Sequence, residues 1–104
     1  MLLQKTKFSE NDIISFKLIS GEEIIGKYVS EDMVDIIIHY PIMLAMTQKG
    51  PAMAPLMMTV DPDKDFNIPK SVISFKGITN KEIADQYILQ TTGIQPVSAG
   101  SIIR

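Results

Sequence analysis

Apolar and polar positions alternate most regularly between Ile14 and Leu18, at the start of a strand-like stretch that runs to Leu44. Ile14, Phe16 and Leu18 are interleaved with Ser15 and Lys17, the period of two expected of a strand with one buried face. Ser20-Gly21 predicts a tight turn, because glycine adopts the positive φ that two-residue hairpins need. Glu22 to Ser30 reads as a second strand interrupted by Gly26, and a lone glycine inside a strand marks a bulge or sharp bend. Glu31-Asp32 predicts a second turn. Met33 to Leu44 is a third strand, apolar at almost every position, with Pro41 marking an edge or bend because it cannot donate to a ladder. Thr47 to Pro51 reads as a turn, Met53 to Val60 as a fourth strand, and Phe66 to Phe75, broken at Pro69, as a fifth.

Beyond Gly77 the period changes. Thr79 and Glu82 have capping-box spacing, and Ile83, Ala84, Tyr87 and Ile88 form one apolar helical stripe. A helix is expected over about Asn80 to Thr92, stopped by Gly93. The expected fold is mainly β: one domain over residues 1–104, with a small, strongly bent five-stranded antiparallel barrel over about 12–76. The C-terminal α-helix follows over about 80–92 and a tail over 94–104. Ile102 and Ile103 make that tail apolar enough to dock on its own barrel or on a neighbour.

Composition narrows the function classes. The 104 residues fit a single domain, and a domain of this size buries roughly two-thirds of its unfolded surface, enough for a core without staples. Cysteine is absent, which removes disulfides and thiolate chemistry and agrees with a cytoplasmic protein. No apolar run reaches membrane-helix length, so no membrane partner is expected. A formal net charge of −2 argues against nonspecific nucleic-acid binding while leaving room for a local basic patch.

The motif Leu18-x-x-Gly21-x-x-Ile24-Ile25-Gly26, followed by Asp32, resembles the first sequence motif of the Sm and Sm-like proteins. That family forms strongly bent five-stranded barrels that close into rings and bind RNA. Where the family carries an Asn four residues after the Asp, this chain has Ile36, with Asp35 one position earlier. Ile68-Pro69-Lys70-Ser71-Val72-Ile73-Ser74 resembles the fifth-strand region of the Hfq branch, in which a Lys-His pair faces the central pore; Lys70 holds the Lys position and Ser71 the His position. A helix after the strands resembles Sm-like proteins encoded by tailed phages. The resemblance implies a cyclic homo-oligomer with single-stranded RNA as partner. Its base-binding roles would fall to Met33 for stacking, Asp35 in place of the Asn, and Lys70 with Ser71 beside it. Methionine stacks less well than an aromatic, and a carboxylate lacks the amide donor and repels phosphate. The alternative is a homo-oligomeric assembly or protein-interaction scaffold that binds no RNA.

Little else in the chain suggests chemistry. His39, the one histidine, lies mid-strand and reads as a structural residue, with catalysis or metal binding as the minor alternative. Asp61, Asp63 and Asp65 alternate as in a calcium loop, but Phe66 and Val72 stand where an EF-hand needs Gly and Glu, so this is a solvated turn. No nucleophile elbow or phosphate loop is present. No catalytic residue, metal site or cofactor is therefore expected, and an enzyme is the least favoured class. Five of the seven methionines lie between Met43 and Met58. They suit either core gaps or an adaptable partner surface.

Overall fold

A computed structural model of the chain describes residues 7–92. The first six residues of the lead-in, Gly93 and the tail over 94–104 lie outside that range. The elements are β1 (Ile13–Leu18), β2 (Glu23–Glu31), β3 (Asp35–Thr47), β4 (Gly50–Pro55), β5 (Asp65–Pro69), β6 (Ile73–Ile78) and α1 (Lys81–Thr92). A single 3-10 turn, Lys70–Val72, joins β5 to β6. Every pairing is antiparallel, in the order β4-β3-β2-β1-β6, with β5 also on β3.

The mainly β class and the C-terminal helix agree with the sequence. The strand count differs: six strands form an open sheet where five closing into a barrel were expected. β3 explains the count, because its first half, Asp35 to His39, pairs with β5 and its second half, Ile42 to Thr47, pairs with β4. One long partner strand is thus supplied in two pieces. The expected fourth strand, Met53 to Val60, stops at Pro55, and residues 57–60 are exposed. The expected fifth strand divides at Pro69, where the 3-10 turn begins.

Two positions let the sheet bend. Gly26 faces Ile38 so closely that an added Cβ would collide with the Ile38 side chain, and the β2–β3 register shifts across it, between Ile25 and Lys27, and again between Tyr28 and Ser30. Tyr40 lies between the two halves of β3 with φ of +56°, a costly conformation for a bulky residue that its surroundings must hold in place.

Both faces of the sheet are buried. On one, Ile14, Phe16, Ile24, Tyr28, Ile36, Ile38 and Ile68 form the larger cluster. On the other, Ile25 and Ile42 pack under Tyr87 of α1, with Ile83 and Ile88 alongside. The helix therefore presents the stripe expected of it. Its cap differs from the expected one. Asn80 Oδ1 accepts the backbone N–H of Ile83 at 2.9 Å, the N-cap contact, whereas Thr79 is buried and shares a 2.6 Å hydrogen bond with Ser15. Among the described residues no helix is long and apolar enough to cross a membrane.

Candidate functional site

Four residues were singled out for binding: Met33, Asp35, Lys70 and Ser71. The fold brings all of them to one end of the sheet, where the β2–β3 turn lies against the 3-10 turn. Asp32 builds the first turn. Its Oδ1 accepts the N–H groups of Val34 and Asp35, both at 2.8 Å, the Asx arrangement that lets a short side chain replace a backbone turn. Those N–H groups, Asp35's first, hold the Asp32 carboxyl below its ordinary range. Lys70 N–H donates to Val34 O at 2.8 Å and thereby fixes the second turn to the first.

This geometry projects Met33 and Val34 outward. Met33 is 93% exposed, unusual for an apolar side chain at the tip of a hairpin. Ser71, in the 3-10 turn, is also exposed. Asp35 pairs with Pro69 across the ladder, and its Oδ2 accepts from Asn67 Nδ2 at 3.3 Å. Lys70 Nζ donates to Glu31 Oε2 at 2.7 Å, and the other oxygen of Glu31 accepts the Tyr28 hydroxyl at 3.0 Å. The Lys70 contact is the main reason that the Glu31 carboxyl lies below its ordinary range, with Tyr28 and the more distant charge of Lys76 helping.

The tip is thus more acidic than the four residues alone suggest. Glu31, Asp32 and Asp35 all lie at this end, and Glu31 already holds the Lys70 ammonium. The sequence reading missed Glu31, Tyr28 and Asn67 as members of this end. Glu31 was assigned to a turn, and its meeting with Lys70 spans 39 residues, so only the strand register could reveal it.

The remaining polar candidates lie outside this group of residues. His39 Nδ1 lies 2.7 Å from Asp65 Oδ1, and Nε2 lies 2.9 Å from Asp63 Oδ1. Each ring nitrogen has its own carboxylate, so the histidine ties the Asp61–Asp65 segment to β3. Among the described residues no group of three or more His, Asp or Glu side chains is arranged to hold a metal ion. Lys17 is exposed, while Lys27 is half-buried opposite His39.

Compared with known proteins, the chain matches no family model and no curated protein sequence.

Proposed function

We propose that this chain is a ring-forming module of the Sm-like type, a bent antiparallel sheet whose copies join edge to edge and whose role is assembly, not catalysis. The observation that carries this reading is the pair of strand edges left at β4 and β6, the two ends of the sheet path. Edge strands offer rows of unpaired N–H and C=O groups, and proteins blunt or cover them. Here β6 carries Phe75 and Ile78 at 72% and 62% exposure, with the exposed Lys76 between them. A cyclic assembly in which each copy's β4 edge meets the next copy's β6 edge pairs both ends of this path at once. The motif around Gly21 and Gly26 supports the same reading, because Gly26 sits where the sheet must bend. Sedimentation velocity at micromolar concentration tests it. One species several-fold heavier than the 11.6 kDa chain is expected, and a monodisperse monomer refutes the assembly.

A second reading is favoured by one specific observation, the convergence of Met33, Asp35, Lys70 and Ser71 on one end. In a ring these ends would surround the axis, and single-stranded RNA would bind there. The Lys70–Glu31 contact weighs against it, since a phosphate must compete with a carboxylate already in place. The two readings separate in a titration with a U-rich oligomer. If the ring binds RNA, Lys70→Ala weakens binding and flattens its salt dependence, and Glu31→Gln strengthens it by freeing the ammonium. If wild type binds none at low salt, the RNA reading fails and the assembly reading stands.

A further inference from the structure

A groove of about 570 Å³ opens between α1 and the β4 edge. Its floor includes Leu44, Pro51 and Met53, and its helical wall presents Glu82, Ile83 and Gln86. It lies on the helix-covered face of the sheet, outside the larger core and away from the acidic tip.

The ladder register connects this groove to the opposite edge. Phe75 is opposite Lys17, Lys17 opposite Glu23, Glu23 opposite Leu44, and Leu44 opposite Met53. Cross-strand partners project from the same face. One lateral row therefore crosses five strands, starting at an exposed phenylalanine on β6 and ending at a groove beside β4. A second copy added at the β4 edge with the same face up, in the register that continues this row, would set its own β6 against β4 and its Phe75 beside Met53, over the groove.

We propose that the α1–β4 groove is the socket for Phe75 of a second copy of this chain. The inference rests on the edge-to-edge assembly proposed above and adds what fixes its register. The groove has an apolar floor suited to an aromatic ring, and Phe75 is 72% exposed on its own protomer. Charge agrees as well. The next residue inward on the incoming row is Lys17, and the socket's helical rim carries Glu82. On this account α1 serves two purposes: its Tyr87 side covers the sheet, and its Glu82–Gln86 side forms one wall of an intersubunit pocket.

The chain contains no cysteine, so Phe75→Cys and Met53→Cys can be paired cleanly. The two single variants are mixed, allowed to exchange subunits and treated with a short thiol–thiol cross-linker. Cross-linked dimers are expected from the mixture and not from either variant alone, and the double variant should give a covalent ladder ending at the full ring. Phe75→Ala, with far-UV circular dichroism unchanged, should weaken association at least tenfold. An oligomer of wild-type mass that yields no cross-link, or a Phe75→Ala protein that associates as tightly as wild type, overturns the socket and leaves edge-to-edge assembly intact. A monomeric wild type overturns both.

Discussion

Tyr87 and Lys70 each hold a turn of backbone against the sheet, but in opposite surroundings. Tyr87 is 1% exposed, and its hydroxyl donates to the carbonyl oxygens of His39 and Tyr40 at 3.1 and 2.8 Å. It therefore braces the left-handed Tyr40 from beneath a helix. Burial, assisted by Tyr40, pushes its phenol well above the ordinary range, so it stays a neutral donor. Lys70 ties the 3-10 turn to the β2–β3 turn in the open, with its side chain 30% and that of Glu31 31% exposed. A buried anchor of the first kind is costly to break. An exposed ion pair of the second kind contributes little to stability. The Lys70 ammonium can change partners at little cost to the fold, whereas the Tyr87 hydroxyl is committed to the bend.

The sharpest break in this comparison is at Tyr87. Tyr87→Ala should cost about 3–5 kcal/mol, as expected for an aromatic removed from a core. Tyr87→Phe keeps the ring and removes the hydroxyl that two carbonyl groups share, and should cost about 1–3 kcal/mol. Urea melts measure both, and a Tyr87→Phe protein as stable as wild type would remove the brace from the account. Gly26→Ala tests the bend from the other face. The added methyl meets the Ile38 side chain, and overpacking of this sort costs about 1–3 kcal/mol.

The exposed anchor should respond to pH more than to mutation. Glu31→Gln is expected to change stability at neutral pH by less than about 1 kcal/mol. The carboxyls of Glu31 and Asp32 are both held below their ordinary ranges in the folded chain. Their contribution is therefore complete above the unfolded values and is lost as pH falls through the lower folded values. Melts between neutral and acid pH should show wild type losing this contribution in acid and Glu31→Gln losing less of it. Equal acid slopes would show that Glu31 gains nothing from Lys70.

Local signals carried most of the fold. Period-two alternation located β1, the flanking turns and Gly26 located β2, Pro41 stands beside the left-handed Tyr40, and the apolar stripe through Tyr87 located α1. The cap was misplaced by one residue, because Thr79 and Asn80 are both good capping types and only packing sends Thr79 inward to Ser15. The split fourth strand was illegible for a related reason. Met57, Met58 and Val60 continue the apolar run that reads as one strand, yet they are exposed beyond Pro55. At the tip, the sequence named residues that do converge but not the carboxylate that holds Lys70. That contact depends on how β2, β3 and β5 align, which no short pattern encodes.

The central claim is that copies of this chain close on themselves through the β4 and β6 edges. Native mass measurement of the intact protein, over a dilution series and with and without a short U-rich RNA, tests it most directly. The account predicts a single closed species at one integer multiple of 11.6 kDa, constant across the dilution range. A monomer throughout, or an open-ended series growing with concentration, would contradict it.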